Sequence, residues 1–297
     1  MDAAIVAQVR SFNRTVTQRI GALDEQFLAR GRPLGQSRLL WEIGPEGCDL
    51  RRLRLRLGLD SGYLSRLLRS LQQEGLVTVA PARADGRVRT ARLSAAGLAE
   101  RAELDRRSDV AAESILGALS DQQQARLVTA MAEVQRLLTT SQITISAADP
   151  RGPGARSCLL AYFRELAGRF DAGFDPELSN PAQDEEMILP AGLFLLATLY
   201  GEPVGCGALK FHPDAPAEIK RMWVSPAARG LGLGRRLLAE LETRAADHGA
   251  IVVRLETNRA LAEAISLYRS SGYREVRPFN AERYAHHWFE KALTSSV

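Results

Sequence analysis

Residues 218–234, EIKRMWVSPAARGLGLG, constrain the fold of this chain more than any other segment. An apolar, β-branched stretch ends at Ser225-Pro226, a glycine-rich turn follows at residues 229–234, and an amphipathic helix is expected from about Arg235. A helix that starts directly after such a turn leaves several backbone N–H groups unpaired. With the helix dipole, these groups favour an anion such as a pyrophosphate. The segment therefore predicts a strand, an anion-binding turn and a helix.

The order Arg229-x-x-Gly232-x-Gly234 resembles the acetyl-CoA signature of the GNAT acetyltransferase superfamily. The dinucleotide fingerprint fits less well, because its third glycine would fall on Leu237. A glycine-rich turn without a ligand stays open as the alternative. The resemblance implies acetyl-CoA as co-substrate, with backbone N–H groups near 222–224 holding the pantetheine and polarising the carbonyl. The predicted contacts to this co-substrate are Met222, Val224, Arg229, Gly230, Leu231, Gly232, Gly234, Arg235 and Asn258.

The segments after the turn agree with this resemblance. Residues 251–257 alternate as a strand, and residues 262–270 are predicted to form a helix that ends before Gly272. AISLYRSSGYREV resembles the closing helix and strand of the superfamily, which would place Tyr268 near the departing sulfur. An ordinary packed tyrosine is the alternative. Asn258 is as well suited to capping the following helix as to contacting coenzyme A.

Glu218 is the candidate general base. It lies 11 residues before Arg229, the offset at which histone-directed members of the superfamily carry a glutamate base. A carboxylate that reaches the acceptor takes the amine proton directly or through water. An exposed carboxylate at the start of a strand is the alternative.

The rest of the C-terminal half is predicted to alternate strands and helices. Strands are expected at 142–146, 193–200, 204–211 and 218–224, a loop at 147–156, and a helix at 158–169 with Leu159, Leu160, Phe163 and Leu166 inward. Residues 169–176 and 184–186 are expected to form an irregular loop, in which Phe170 and Phe174 either wall an acceptor pocket or simply pack.

Length and composition bound the domain organisation. A chain of 297 residues with 45% apolar residues can build two domains, predicted at 1–140 and 141–297. No apolar run has the length of a membrane span, and no signal-peptide core is present at the N-terminus. The three cysteines and four histidines show no metal-ligand spacing, so we expect no metal and a cytoplasmic location.

The basic excess belongs to the N-terminal half. Residues 1–145 have a formal charge of +5, whereas residues 146–297 have −1. A polyanionic partner is therefore expected at the N-terminal half, although a balance of this size is also common on solvated helices.

The N-terminal half is predicted to be a helix-turn-helix followed by a β-hairpin. Helical periodicity is expected over the first 29 residues, over 35–43 and from Leu50 to Leu57. After the capping residues Asp60 and Ser61, leucines at 64, 67, 68 and 71 form one apolar stripe. Strands are expected from Gly75 and over 88–93, with a basic tip at 83–87. Two more helices are expected at 98–119 and 120–138.

LGLDSGYLSRLLRSLQQEGLVTV, with Asp85-x-Arg87, Leu93-Ser94 and Gly97, resembles the MarR family of winged-helix regulators. The resemblance implies a DNA-reading helix, a wing whose arginine contacts DNA, and terminal helices that form a homodimer on a two-fold operator. The predicted DNA contacts are Ser61, Tyr63, Ser65, Arg66, Arg69 and Arg87. A helical domain that binds no DNA, and an intrachain helical core in place of a dimer, are the alternatives.

The chain is thus predicted to be a two-domain α+β protein, with a mainly α winged helix-turn-helix domain and a mixed α/β GNAT domain. Three functions stay open at this point: a DNA-binding regulator fused to an acetyl-CoA-dependent N-acetyltransferase; a regulator whose acetyltransferase-like domain only senses coenzyme A or a ligand; and an acetyltransferase that uses the winged helix to dimerise. The fold does not fix the amine acceptor, the operator or the effector.

Overall fold

The computed structural model describes residues 2–23, 27–82, 88–171, 173–179 and 182–293. The chain divides into two compact units, Met1–Ala132 and Glu133–Val297. The first unit is mainly helical and the second is built on a mixed sheet, as predicted for a two-domain α+β protein. The sequence placed the domain boundary near residue 140, and the division between compact units falls at 132/133.

The first unit is a bundle of helices with a small sheet. Its helices and strands are α1 (Ala3–Arg19), α2 (Leu34–Ile43), β1 (Cys48–Asp49), α3 (Leu50–Leu57), α4 (Ser61–Gln73), β2 (Val77–Pro81), β3 (Arg89–Leu93), α5 (Ala95–Leu116) and α6 (Asp121–Ser141), of which α6 continues past the division. The three strands pair antiparallel in the order β1-β3-β2. The predicted leucine stripe of α4 is buried in the core with Leu39, Leu40 and Leu53.

Two capping residues and one glycine organise this unit. The Asp60 carboxylate accepts from the Tyr63 N–H at 2.8 Å and so begins α4. Ser94 begins α5 by accepting from the Gly97 N–H at 3.0 Å. A side chain at Gly97 would place its Cβ 2.1 Å from the Leu76 carbonyl oxygen, so only glycine lets α5 pack this closely on the hairpin.

The second unit is a seven-stranded sheet with helices. Its elements are β4 (Ile143–Ala147), α7 (Pro153–Arg169), β5 (Gly192–Leu199), β6 (Glu202–Lys210), β7 (Ala217–Val224), α8 (Leu233–Asp247), β8 (Val252–Thr257), α9 (Ala262–Ser270), β9 (Arg274–Val276) and β10 (His287–Ala292). The strand order is β4-β5-β6-β7-β8-β10-β9, antiparallel except for β7 beside β8.

Three local predictions in this unit were wrong. The loop expected over 147–156 ends earlier, because α7 begins at Pro153, a residue suited to the first helical position. Leu160, expected to point inward, is 61% exposed, whereas Leu159 and Leu166 are buried. The strand β10, inserted between β8 and β9, was not predicted, because its sequence HWFEKA lacks a marked alternation.

Candidate active site

The strands β7 and β8 open a cleft in the middle of the sheet. They pair in parallel only at Ala217↔Val253 and Glu218↔Arg254. No further described residues of the two strands pair with each other, although β7 continues to Val224 and β8 to Thr257. The edges that face each other there have main-chain groups unused by the sheet, which makes this the place where a ligand can bind to backbone.

A β-bulge in β7 shapes one wall of this cleft. The register between β6 and β7 shifts between Cys206 and Ala208, and Arg221 takes a left-handed conformation with φ of +56°. After the bulge, Trp223 pairs with Cys206 and the Ser225 N–H donates to the Val204 carbonyl. Since alternate residues of an antiparallel strand hydrogen-bond in opposite directions, the main-chain groups of Met222 and Val224 point away from β6, toward the cleft.

The glycine-rich turn forms the end of the cleft beyond β7. Gly230 and Gly232 have φ of +76° and +73°, and α8 begins directly after Gly232. The Arg236 N–H donates to the Gly232 carbonyl at 3.1 Å. Within the described part of the chain, the N–H groups of residues 230–235 have no protein acceptor. The turn is therefore an exposed array of donors at the positive end of a helix dipole.

Two cavities meet in the cleft. The turn cavity, of about 470 Å³, lies between the turn, β7 and the helices α7 and α9, and contains Met222, Val224, Arg229, Gly230, Gly232, Gly234 and Arg235. The aromatic cavity, of about 110 Å³, lies at the other end and is lined by Tyr162, Phe170, Phe174, Lys220, Arg221, Glu256, Asn258, Glu282 and Tyr284. Tyr268 lines both cavities, so a ligand that spans them passes its side chain.

Tyr268 lies on α9 and is 6% exposed. Its ring packs against those of Tyr273 and Phe289, with centroids 5.8 and 5.9 Å away. Burial raises the pKa of Tyr268 well above its ordinary value, so its hydroxyl stays protonated through neutral pH. Tyr268 is thus placed as a neutral hydrogen-bond donor at the junction of the cavities.

The Arg229 side chain is held by the protein itself. Its guanidinium binds both carboxylate oxygens of Glu165 at 2.6 and 2.7 Å, and it also donates to the Val224 carbonyl. Glu165 accepts from the Trp223 indole N–H at 2.8 Å as well. Burial opposes ionisation of Glu165, but these hydrogen bonds outweigh it and lower its pKa. Arg229 therefore ties the turn to α7 as well as lining the cavity.

The structure does not bring Glu218 to either cavity. Glu218 is 5% exposed and binds Lys220 at 3.0 Å and Arg254 at 2.7 Å. Burial opposes ionisation, but the charge of Lys220 and the hydrogen bond from Arg254 lower the pKa of Glu218. Because a proton acceptor needs access to the acceptor amine, this placement is against the predicted role as base. The carboxylates that line the aromatic cavity are Glu256 and Glu282.

We expect Glu218→Gln to lower the free energy of unfolding of the protein. It removes the carboxylate that pairs with Arg254 and one of the two that pair with Lys220, and breaking a buried ion pair lowers the free energy of unfolding by about 3 kcal/mol. Since the pKa of Glu218 is lowered in the folded state, its ionisation stabilises the protein fully above about pH 4.5, the ordinary value, and this contribution is lost as the pH falls further. Urea unfolding at pH 7 and pH 4 measures both effects.

The matched control for this prediction is Glu240→Gln. Glu240 pairs with Arg244 on the surface of α8, with both side chains at least 33% exposed, so its loss should cost less than about 0.5 kcal/mol. Equal stability of the Glu218 and Glu240 variants, with a turnover loss confined to Glu218→Gln, would restore the role as base.

Two other predicted co-substrate contacts lie elsewhere. Leu231 does not line the turn cavity but packs against the core of the unit. Asn258 lies at the aromatic cavity, where its amide donates to the Tyr284 carbonyl at 2.7 Å and accepts from the Ala260 N–H at 2.9 Å. Asn258 therefore stabilises the loop after β8. This role resembles the predicted alternative, in which Asn258 caps the following helix.

Several lining residues were missed by the sequence. Tyr162 and Glu165 come from α7, Glu256 from β8, and Tyr284 from the segment before β10. The pKa of Tyr162 is raised by burial to about 12. The only signal for Tyr162 and Glu165 was helical spacing with Leu166 and Arg169, which does not distinguish a cavity wall from a core. Phe170 and Phe174, offered as a wall, do line the aromatic cavity.

The first unit presents the predicted DNA-reading face on α4. Ser61, Tyr63, Ser65, Arg66 and Arg69 are all exposed, opposite the buried leucines. The Arg66 guanidinium lies 5.6 Å from the centre of the Tyr63 ring. Arg87, with Asp85, falls outside the described residues.

The second unit matches the family model of the acetyltransferase (GNAT) family over residues 160–273. An IAA acetyltransferase from Azospirillum brasilense is 40% identical over 117 residues, which cover 39% of this chain and 76% of that protein. The chain belongs to the GNAT acetyltransferase family. Its activity is that of a GNAT-type N-acetyltransferase. The first unit matches the MarR family model over residues 30–88, so a MarR-family region and a GNAT domain occur in one chain.

Two other proteins are similar to parts of this chain. A mycothiol acetyltransferase from Thermomonospora curvata is 38% identical over 91 residues, which cover 31% of this chain and 30% of that protein. A GNAT family acetyltransferase from Elizabethkingia anophelis, solved with acetyl-CoA bound, is 19% identical with a TM-score of 0.37, over 51% of this chain and 99% of that chain.

Two features are absent from the described residues. No helix there combines the length and apolar character that crossing a membrane requires. Nor do those residues contain a group of three or more His, Cys, Asp or Glu side chains arranged to hold a metal ion.

Proposed function

We propose that this GNAT-family chain is a bifunctional protein: a DNA-binding transcriptional regulator and an acetyl-CoA-dependent N-acetyltransferase in which the acceptor amine attacks the thioester directly. The observation that carries the enzymatic half is that the turn cavity and the aromatic cavity share lining residues, among them Met222 and Tyr268. One ligand can thereby bind to the turn while a second enters from the other end.

The turn cavity suits acetyl-CoA. The unpaired N–H groups of residues 230–235 and the positive end of α8 favour a pyrophosphate. A Cβ at Gly230 or Gly232 would meet nothing within 4 Å, so the surface above both glycines is open to a ligand. The main-chain groups of Met222 and Val224 hold the pantetheine and the thioester carbonyl, while Arg235 lies beside the phosphate end. Acetyl-CoA supplies an activated acetyl group, whose transfer forms an amide and releases a thiol.

Side chains of this protein carry out the proton transfers of the reaction. The Tyr268 hydroxyl donates its proton to the leaving sulfur. The carboxylates of Glu256 and Glu282 line the aromatic cavity, where they take up the proton that the ammonium form of the acceptor loses before its nitrogen attacks the thioester carbonyl. Glu218, predicted from the sequence as the base, does not contact the acceptor in this scheme. It binds Lys220, which also binds Glu256.

Thiol release from acetyl-CoA over a panel of amines tests the enzymatic half. Turnover with at least one amine is expected. Binding of coenzyme A without turnover on any amine would favour the alternative, a regulator whose second unit only senses coenzyme A or a ligand. Absence of coenzyme A binding would contradict both.

The regulatory half rests on α4. We expect Arg66→Ala and Arg69→Ala each to weaken binding of duplex DNA and to reduce the slope of log affinity against log salt by about one. Gel retardation or fluorescence anisotropy between 50 and 200 mM salt measures this. Arg106→Ala is the control, because Arg106 is equally exposed on α5 but is paired with Glu103. An identical effect of all three would mean that α4 is not the DNA-reading helix. Ser61, Tyr63, Ser65 and Arg87 stay predicted contacts.

The homodimer also belongs to this proposal. Every described side chain of α1 is at least partly exposed, including its apolar stripe, Ile5, Val9, Phe12 and Val16. Exposed apolar residues recur on the other long helices at Val110, Val128 and Met131. Covering such faces with a second copy removes this apolar surface from water. Light scattering should give the mass of two chains, and the mass of one chain would contradict the dimer. The cytoplasmic location and the functional domains 1–140 and 141–297 stay predictions.

A further inference from the structure

Arg221 is the residue that the proposed reaction leaves unused. It lies at the bulge of β7, with φ of +56°, a strained conformation for a non-glycine residue. Its guanidinium lies 4.7 Å from the centre of the Phe163 ring. It lines the aromatic cavity and also a neighbouring cavity bounded by Arg156, Asp184 and Met187. The fold thus places a strained arginine in the wall between these two cavities.

Within the described part of the protein this guanidinium forms neither an ion pair nor a hydrogen bond, and it packs on the face of the Phe163 ring. Burial lowers the pKa of Arg221, and the charges of Glu282 and Asp184 offset this only in part. The other charged groups of the aromatic cavity are engaged: Lys220 binds Glu256 at 2.5 Å, and Glu282 accepts from the Ser179 hydroxyl at 3.0 Å and from the Tyr284 N–H at 3.1 Å. Buried charges are normally paired, so a cation that is open only to a cavity is suited to an anion that arrives there.

Resting on the acetyl transfer proposed above, we infer that the acceptor is an amine that also carries a carboxylate, and that Arg221 binds this carboxylate. A planar guanidinium matches a carboxylate with two parallel hydrogen bonds. The carboxylates of Glu256 and Glu282 lie in the same cavity and suit the positively charged amine. The acceptor is therefore zwitterionic, as an amino acid is.

The lining also narrows the rest of the acceptor. Phe170, Phe174 and Tyr284 form a packed aromatic group, with the Phe174 and Tyr284 centroids 4.9 Å apart. These rings favour an apolar or aromatic body between the amine and the carboxylate. A phosphate is disfavoured, because its second negative charge would lie in a cavity that already holds two carboxylates.

The test compares matched amines on the intact chain. L-phenylalanine, L-phenylalaninamide and phenethylamine are supplied with acetyl-CoA, and thiol release is measured, with calorimetry of each amine in the presence of coenzyme A. We expect kcat/KM for the acid to exceed that for the amide by about 10- to 150-fold, the usual effect of a hydrogen bond to a charged group. A panel of other amino acids and their amides extends the comparison beyond phenylalanine. Equal or better use of the amides throughout would overturn the inference.

Variants assign the preference to Arg221. Arg221→Met should abolish the preference for the acid while leaving coenzyme A binding intact, and Arg221→Lys should keep part of it. Arg151→Met is the control, since Arg151 lines none of these cavities and pairs with Glu185 at 2.5 Å. An unchanged preference in Arg221→Met contradicts the assignment.

Calorimetry separates the two proposals. Selective binding of the acids without any thiol release would support the role of Arg221 and contradict catalysis. Turnover at equal rates with the acids and the amides would support catalysis and contradict the role of Arg221.

Discussion

Replacing Gly232 with valine is expected to weaken coenzyme A binding by at least about 100-fold. Gly232 has φ of +73° and immediately precedes α8, where the N–H groups of residues 230–235 are free to bind phosphate. A β-branched side chain there either projects over these donors or forces the turn out of its left-handed conformation. Losing two hydrogen bonds to a charged phosphate costs about 3–6 kcal/mol, which corresponds to this factor. Calorimetry with coenzyme A measures it directly.

The chain offers a close control for this variant in Gly249→Val. Gly249 has φ of +86° just after the end of α8, and a Cβ there also meets nothing within 4 Å. The backbone strain is therefore similar, but Gly249 lines neither cavity of the cleft. We expect both variants to lose similar stability in thermal unfolding and only Gly232→Val to lose coenzyme A. Unimpaired binding by a folded Gly232→Val protein would show that the turn is not the phosphate site.

Replacing Tyr268 with phenylalanine is expected to lower kcat by about 100-fold or more, the usual contribution of a positioned proton donor, with little change in coenzyme A affinity. The change removes only a hydroxyl, while the ring keeps its packing against Tyr273 and Phe289. Because burial raises the pKa of Tyr268 well above its ordinary value, the wild-type hydroxyl stays a donor at alkaline pH. The wild-type rate should therefore not decline between pH 7 and pH 9 on account of this group.

Tyr273→Phe is the control for Tyr268→Phe. Tyr273 is also buried, at 5% exposure, and its ring is the neighbour of Tyr268, but it lines neither cavity. Steady-state kinetics of both variants, with the thiol released as readout, should show a loss of kcat only for Tyr268→Phe. Full activity of Tyr268→Phe would assign protonation of the leaving sulfur to water or to another group.

Local patterns predicted most of the elements. The helix at Ala262–Ser270 has the predicted bounds, and the leucine stripe of α4, the Asp60 cap and the strand that feeds the glycine-rich turn were all visible as periodicity or as capping residues. Each of these depends on neighbours within about four positions along the chain, which is why the sequence suffices. The strand β10 was missed because its place between β8 and β9 depends on pairing with distant residues.

The candidate site also has features that the sequence predicts and features that only the tertiary structure decides. The amino-acid sequence by itself determined the two families, the glycine-rich turn before α8 and the position of Tyr268 on its helix, because a turn and the helix that follows it are built from consecutive residues. Only the tertiary structure decided that Glu218 is enclosed by Lys220 and Arg254. The placement of Arg221 beside aromatic rings from distant segments, without an ion pair among the described residues, likewise appears only in three dimensions. Whether a charged side chain is paired or available depends on which remote residues share its cavity, and no local pattern in a single chain records that.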